Sequence, residues 1–167
     1  AASDVYKRQE SAPLSHSVAT KQRVPYNLQT AISAERLEEI GDAFINVPEG
    51  FSVHPRVKPI LESRYRMTRE GKVDWAMAEL LSWGSLLQEG RDIRIAGEDS
   101  CRGTFTQRHA IIVDRKNSNI YSPLRAIAQT HGGHFDIYNS SLSEFAGLGV
   151  EYGYSVAHTL SLIHISE

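Results

Sequence analysis

Apolar residues recur at helical spacing in five stretches of the chain. These stretches are 34–45 behind Ser33, 56–67 with Pro59 in its first turn, 75–89 between Asp74 and Gly90, the segment from Ser122-Pro123 through Ile127, and the segment behind Ser141. Serine and aspartate accept hydrogen bonds from the free amides at a helix start, and glycine often ends a helix in a left-handed conformation. The pattern therefore predicts five helices.

The stretch 75–89 differs from the others because apolar residues surround most of its circumference. They are Trp75, Met77, Ala78, Leu80, Leu81, Trp83, Leu86 and Leu87. A helix with this pattern is normally buried on more than one side. We expect the same arrangement here.

Three runs predict strands or extended chain, namely DIRIAG (92–97), AIIVD (110–114) and HFDIYN (134–139). From Asp74 onward, helices alternate with these runs, an order that is typical of the α/β class with a parallel or mixed sheet. In such sheets, ligands bind where strands end at their carboxyl side. Segments 97–109 and 139–144 meet that description and are the two places to search for a site.

The sequences at the two ends of the chain are not expected to form part of the fold. Residues 1–9 (AASDVYKRQ) and 160–167 (LSLIHISE) match in-frame translations of the two ends of a transposase-based sequencing adapter. We therefore expect 10–159 to be authentic sequence from inside a longer chain. The expected organisation is a linker and helical inter-domain segment over 10–73, of which 10–29 is extended, and the truncated start of a further domain over 74–159.

Composition limits the class of protein. With 41% hydrophobic and 23% charged residues, the chain lies in the globular range. A net charge of -2 and a pI near 6.4 predict no surface for nucleic acid or anionic membrane. No stretch approaches the about 20 apolar residues of a membrane helix. The single Cys101 excludes an internal disulfide framework and fits a reducing compartment, so we expect a cytoplasmic protein.

The polar loop GEDSCRGTFTQRHA (97–110) allows three interpretations. Arg102, Arg108 and His109 suit an anionic substrate, because guanidinium groups match carboxylates in bidentate geometry. The alternative is pairing of these side chains with acids of the same loop, Glu98 and Asp99. A zinc site built from Cys101, His109, His131 and His134 is disfavoured, because their spacing matches no zinc motif and we expect no metal ligand in the chain.

The last predicted helix carries an acid among small and apolar residues. Ser141 and Glu144 have the spacing of a capping box, in which each side chain satisfies a free backbone amide. Gly147, Gly149 and Gly153 then follow inside the helix, where each costs about 1 kcal/mol relative to alanine. Close approach of a partner helix at a dimer interface or close packing within one subunit would explain them, and both alternatives stand.

Four segments, in order and spacing, carry a resemblance. They are VPEGFSVHPRVKPILE, GKVDWAMAELLSWGSLLQEGRDIRIAGEDSCRGTFTQRHAIIVDRK, SPL and NSSLSEFAGLGVEYGYSVA. Together they closely resemble the thiamine-diphosphate-dependent decarboxylating subunit of 2-oxoglutarate dehydrogenase, in particular the multifunctional 2-oxoglutarate enzymes of actinobacteria. The resemblance covers nearly all of 10–159 and implies a partial thiamine-diphosphate-binding fold, the first half of a transketolase-like pyrimidine-binding domain behind a helical linker.

The resemblance also implies site residues. Glu144 matches the family's activating glutamate, which shares a proton with the cofactor's pyrimidine N1′; burial beside Leu142 and Phe145 is expected to raise its pKa toward neutrality. Leu142 and Ser143 are expected to bind the cofactor beside it. Arg102, Gln107, Arg108 and His109 are expected to contact the substrate, with His109 also catalytic as a proton relay. The Mg²⁺ ligands of the family lie in a segment outside this chain.

The implied activity is oxidative decarboxylation of 2-oxoglutarate with transfer of the succinyl unit to lipoamide. The implied partners are a second copy in a homodimer and the lipoyl-bearing succinyltransferase subunit. A related 2-oxoacid dehydrogenase, such as one for 2-oxoadipate, and a non-catalytic subunit-pairing module of the same fold are the alternatives. The chain by itself is expected to be inactive, because the diphosphate-binding domain is not part of it.

Overall fold

The computed structural model describes residues 29–141 and 143–157. The adapter-like segments 1–9 and 160–167 and nearly all of the predicted linker 10–29 lie outside the described residues, as does Leu142. No described helix is both long and apolar enough to cross a membrane.

Three helices open the described chain. Helix α1 is Ala34–Ile45, α2 is Lys58–Glu70 and α3 is Trp75–Gln88. The predicted starts are confirmed: Ser33 Oγ accepts from Arg36 N at 3.4 Å, and Asp74 Oδ1 accepts from Met77 N at 2.7 Å. Proline lies in the first turn of α2, where its missing amide costs no hydrogen bond.

Helix α3 is not buried on more than one side, so that prediction was wrong. Its buried residues share one face: Met77, Leu80, Leu81, Gly84 and Leu87. Trp75 is 92% exposed and Leu86 is 43% exposed on the remaining surface. The reason is that the described elements α1 and α4 (Pro123–His131) pack against α3 on the same side.

A two-stranded parallel sheet confirms the α/β class. Strand β1 (Ile93–Gly97) pairs with β4 (Phe135–Asn139) in a register that runs from Ile93 opposite Phe135 to Gly97 opposite Asn139. Helix α4 precedes β4 on the way back to the sheet. The run AIIVD does not join this sheet. Its residues Ile112–Val113 (β2) form an antiparallel hairpin with Ile120–Tyr121 (β3).

The core lies between α1, α3, α4 and the sheet. Its fully or almost fully buried side chains include Ile40, Phe44, Met77, Leu80, Leu87, Leu124, Ile127, Phe135 and Ile137. Helices α1 and α3 cross closely at Gly84, where an added Cβ would lie 2.8 Å from Ile40 Cδ1. This core holds the sheet, and therefore its carboxyl edge, in place.

The last helix, α5 (Glu144–Ala157), stands largely outside that core and contains no buried residue. One arginine of β1 connects it to the sheet. Arg94 Nη2 lies 2.7 Å from Glu151 Oε2, and the Arg94 guanidinium carbon lies 3.8 Å from the centre of the Tyr154 ring. The apolar face of α5 is exposed, with Phe145 at 89% and Leu148 at 72%.

Candidate functional site

The two segments expected to carry a site meet at the carboxyl edge of the parallel sheet. Ser140 N donates to Gly97 O at 2.9 Å, and Cys101 N donates to Asn139 Oδ1 at 2.9 Å. The loop after β1 and the chain after β4 are thus hydrogen-bonded to each other. The structure brings together the two predicted regions.

The predicted capping box at α5 is not formed. Ser143, not Ser141, caps the helix: its Oγ accepts from Ala146 N at 3.1 Å, and its carbonyl accepts from Gly147 N at 3.0 Å. Glu144 is consequently the first helical residue, too early to reach back to the cap. Three serines with similar capping chemistry, Ser140, Ser141 and Ser143, precede the helix, and the prediction chose the wrong one.

Glu144 is exposed at the carboxyl edge of the sheet. It makes no hydrogen bond or ion pair with the described residues. The described residues do not provide the burial expected beside Leu142 and Phe145: Phe145 is 89% exposed, and Leu142 lies outside the described residues. The pocket around Glu144 is therefore not completed by the described part of this chain.

The loop from Glu98 to Ile111 carries unusual backbone conformations. Asp99, Thr106 and His109 have positive φ angles of 50°, 60° and 46°, and Gly103 has φ 86°. A positive φ is a real outlier for a β-branched residue such as Thr106, and such strain persists only where surrounding contacts determine it. Strained residues concentrate at binding and catalytic sites.

Gln107 turns back into its own loop. Its Oε1 accepts from Phe105 N at 2.9 Å, and its side chain packs against Gly103, which has no Cβ to obstruct it. Its carbonyl oxygen accepts from Arg64 Nη2 at 2.5 Å. The side-chain amide and the backbone carbonyl of Gln107 therefore both help to fix the conformation of the loop.

Arg108, expected to bind substrate, is fully engaged within the chain. Its Nε and Nη2 donate to the two carboxylate oxygens of Glu79 on α3, at 2.6 and 3.0 Å, and its Nη1 donates to Ser100 O at 2.8 Å. The guanidinium also lies 5.3 Å from the centre of the Trp83 ring. These contacts fasten the loop to α3.

Arg102 is more exposed than Arg108, and it pairs with Asp99, one of the two acids of the loop named as alternative partners. Its Nη2 lies 3.0 Å from Asp99 Oδ2, with about half of the arginine side chain exposed. An exposed pair of this kind contributes about 0–1 kcal/mol and is readily exchanged for another anion.

His109 is buried, with 7% of its surface exposed, and its Nε2 has no hydrogen-bond partner among the described residues. Burial lowers the pKa of His109, and the nearby charge of Arg64 lowers it further, against a hydrogen bond with the Thr106 backbone. The ring is therefore neutral near pH 7. It lines a cavity of about 360 Å³ together with His54, Val57, Arg102, Ile111, Ile112, Val113, Asp114 and Arg115.

The zinc candidates do not come together in the described part of the chain, which contains no group of three or more residues able to hold a metal. His131 Nε2 lies 2.8 Å from Glu39 Oε1, and His134 Nδ1 lies 3.0 Å from Asp92 Oδ1. Burial raises the pKa of the Cys101 thiol, and the positive charge of Arg125 partly offsets this rise.

Sequence reasoning missed Arg64 and Glu79, the two residues that reach this loop from the helices. Glu79 is the one acid inside the apolar stretch WAMAELLSWGSLLQ, and an isolated acid in such a helix signals a buried cationic partner. Arg64 gave no such signal, because it lies among the other basic residues of α2.

The chain is similar to two named actinobacterial enzymes. It is 50% identical over 154 residues to the multifunctional 2-oxoglutarate metabolism enzyme of Mycobacterium sp. (strain JLS), and 50% identical over 148 residues to the 2-oxoglutarate dehydrogenase E1/E2 component of Corynebacterium glutamicum. These matches cover 89% and 87% of this chain but 12% of each relative, so the chain spans about an eighth of their length.

The resemblance expected from the sequence is thereby confirmed. Residues 71–165 match the model of the transketolase pyrimidine-binding domain, and α3, both strands of the parallel sheet and α5 lie within that range. The match covers more than half of the chain. The chain therefore belongs to the transketolase pyrimidine-binding domain family.

Proposed function

We propose that the whole protein from which this chain comes is a thiamine-diphosphate-dependent 2-oxoglutarate dehydrogenase that transfers the succinyl unit to lipoamide. The observation that carries the proposal is the placement of Glu144. It is an acid without a partner among the described residues, at the carboxyl edge of a parallel sheet, in a chain 50% identical to two enzymes named for 2-oxoglutarate. Sites of α/β sheets form at this edge.

The described residues suit the pyrimidine end of the cofactor. The Glu144 carboxyl group is not bound by any of the described residues, and the exposed Phe145 ring beside it offers an apolar surface for an aromatic heterocycle. In this proposal the carboxyl group of Glu144 would share its proton with the pyrimidine N1′, and Ser143 and Leu142 would bind the same ring. When bound, thiamine diphosphate supplies the nucleophile that attacks the 2-oxo carbon.

Glu144 needs a buried, apolar surrounding for that role, and the described residues leave it exposed. A second subunit that covers the exposed face of α5 would supply the burial, which supports a homodimer with sites between subunits. In this proposal, other segments of the whole protein bind the Mg²⁺ ion and the diphosphate group. The lipoyl-bearing succinyltransferase subunit and a cytoplasmic location complete the proposal.

The loop after β1 would handle the substrate. His109 is neutral near pH 7, and its Nε2 has no partner within the described part of the chain, so it can take up or relay a proton. Arg102 can exchange Asp99 for a substrate carboxylate, and Gln107 lies beside His109 in the same loop. Arg108 contributes by holding the loop against α3, since its three guanidinium nitrogens already have partners.

Substitution of Glu144 in the complete protein tests the proposal. Glu144→Gln keeps the size of the side chain but removes the shared proton, so release of CO₂ from 2-oxoglutarate should fall on the order of 100-fold or more. The matched control is Glu98→Gln, an exposed acid at the same edge of the sheet. Retained turnover in a folded Glu144→Gln dimer would refute the role of Glu144.

Two measurements on the complete protein, substrate preference and cofactor binding, separate the proposal from its alternatives. A complete protein that prefers 2-oxoadipate to 2-oxoglutarate would refute the substrate assignment. A complete protein that binds no thiamine diphosphate by calorimetry would refute the enzymatic function and favour a subunit-pairing module.

A further inference from the structure

Arg64 on α2 is a buried cation that reaches the candidate site from outside the matched domain segment. Its exposed fraction is 3%, and its Nη2 donates to Gln107 O at 2.5 Å. The guanidinium carbon lies 5.2 Å from the centre of the Phe44 ring. Helix α2 precedes the matched domain, so this contact joins the helical segment to the loop after β1.

Burial of Arg64 is costly, and no direct ion pair offsets the cost. In the described part of the chain, no carboxylate lies within ion-pair distance, and Nη1 has no hydrogen-bond partner. Burial lowers the pKa of Arg64 to about 10, although Asp74 and Glu79 favour the charged form at longer range. An apolar residue of similar volume would often serve stability as well or better at a buried position of this kind.

The contact falls at the point where the loop is most constrained. Gln107 stands between Thr106 and His109, which have φ angles of 60° and 46°. The amides of Arg108 and His109 both donate to Arg102 O, at 2.8 and 3.0 Å. With Arg64 on the Gln107 carbonyl, the peptide groups on either side of Arg108 are both held.

We propose that Arg64 is a positioning residue: its hydrogen bond to the Gln107 carbonyl fixes the strained backbone that presents His109 to the substrate. This inference rests on the proposed function for its catalytic consequence. The structural part concerns the loop alone and is testable without activity. Misplacement of a reacting group by as little as about 1 Å can lower turnover on the order of 100-fold, so such a residue affects turnover without touching substrate.

Arg64 also influences the charge of the site. The charged and titratable groups that face His109 or share its cavity are Arg64, Arg102, His54, Asp114 and Arg115. Of these, the first two disfavour the protonated ring. Removal of the Arg64 charge should therefore move the His109 titration upward in pH, as followed by its imidazole NMR signals.

Amide hydrogen exchange in this chain tests the positioning role directly. Arg64→Met should speed exchange of the Thr106, Arg108 and His109 amides about tenfold or more and leave the β1 and β4 amides unchanged. The control is Arg66→Met on the same helix, where the arginine is exposed and makes no hydrogen bond or ion pair with the described residues. Arg64→Lys keeps a donor at this position and should restore part of the protection.

The complete protein supplies the second readout. Arg64→Met should lower kcat about tenfold or more with little change in KM, with partial rescue by Arg64→Lys. If Arg64→Met fails to fold, Arg64→Gln replaces it in both measurements. Unchanged loop exchange in a folded Arg64→Met or Arg64→Gln chain would overturn the inference, whatever the activity. Faster loop exchange in a protein that does not decarboxylate 2-oxoglutarate would uphold it and refute the proposed function instead.

Discussion

Arg108 and Glu79 face each other through two parallel hydrogen bonds, Nε to Oε1 at 2.6 Å and Nη2 to Oε2 at 3.0 Å. Residues 29 positions apart are thereby joined, and the loop of the candidate site is fastened to the first helix of the matched domain. Two-pronged pairing fixes the orientation of the guanidinium as well as its distance.

Glu79→Ala should destabilise the chain by about 2 kcal/mol, because the arginine left behind is only 17% exposed and loses both of its hydrogen bonds to the Glu79 carboxylate. Urea unfolding measures the change. Glu89→Ala is the control: its 3.6 Å pair with Arg36 involves a carboxylate side chain that is 48% exposed, and its loss should cost less than about 1 kcal/mol. Equal effects of the two substitutions would contradict a structural role for Glu79.

The start of α5 provides a second prediction. Ser143→Ala should weaken the first turn by about 1 kcal/mol and speed exchange of the Ala146 amide, because Ser143 Oγ accepts from that amide. Ser141→Ala should have no such effect, because Ser141 makes no capping hydrogen bond among the described residues. Faster exchange of the Glu144 amide in the Ser141 variant would show that the capping box forms after all.

Two glycines in helices should respond in opposite directions to alanine. At Gly84 the new Cβ would lie 2.8 Å from Ile40 Cδ1, and overpacking of roughly 1–3 kcal/mol should exceed the gain in helix propensity. At Gly149 nothing lies within 4 Å, so alanine should stabilise α5 by up to about 1 kcal/mol. Urea unfolding measures the first and helical circular dichroism the second. A stabilising Gly84→Ala would contradict the close crossing of α1 and α3.

His109 makes stability depend on pH. Its pKa is lowered in the folded chain, so below about pH 6.5 the unfolded chain binds a proton that the folded chain resists. The free energy of unfolding should therefore be highest above that pH and fall as the pH drops from about 7 to 5. His109→Gln, which does not titrate, should reduce this dependence in urea unfolding at several pH values.

The pH range separates this effect from ordinary acid denaturation, because two aspartates with lowered pKa values lose their contribution only at lower pH. Hydrogen bonds with His134 hold the pKa of Asp92 below its usual range, and a hydrogen bond from the Lys116 backbone does the same for Asp114. Their contributions are lost only below about pH 4. A pH dependence between about 7 and 5 that is identical in His109→Gln would assign the effect to other groups.

The starts of α1, α2 and α3 were predictable because their causes are local. Ser33 and Asp74 each bond an amide three residues later, and the proline of α2 restricts its own backbone. The parallel sheet followed from the alternation of helices and runs of apolar residues. The meeting of 97–109 with 139–144 then followed from the geometry of any parallel sheet.

The side-chain contacts of the site were not predictable, because they join distant residues. Nothing local to Arg108 shows that Glu79, rather than Glu98 or Asp99, is its partner. The hydrogen bond from Arg64 to Gln107 spans 43 positions. Exposure of Trp75 likewise depends on which elements pack around α3, and composition says nothing of that.

The register of the parallel sheet also bears on how the chain folds. Pairing of Ile93 with Phe135 closes a loop that includes the β2–β3 hairpin and all of α4. Closing this loop costs chain entropy before the contacts between the strands stabilise the sheet. The contacts between α1 and α2 join residues that are closer in sequence, so their formation costs less entropy. The helical segment should therefore form early and the carboxyl edge late, so that the loop holding His109 acquires its shape only in the final step of folding.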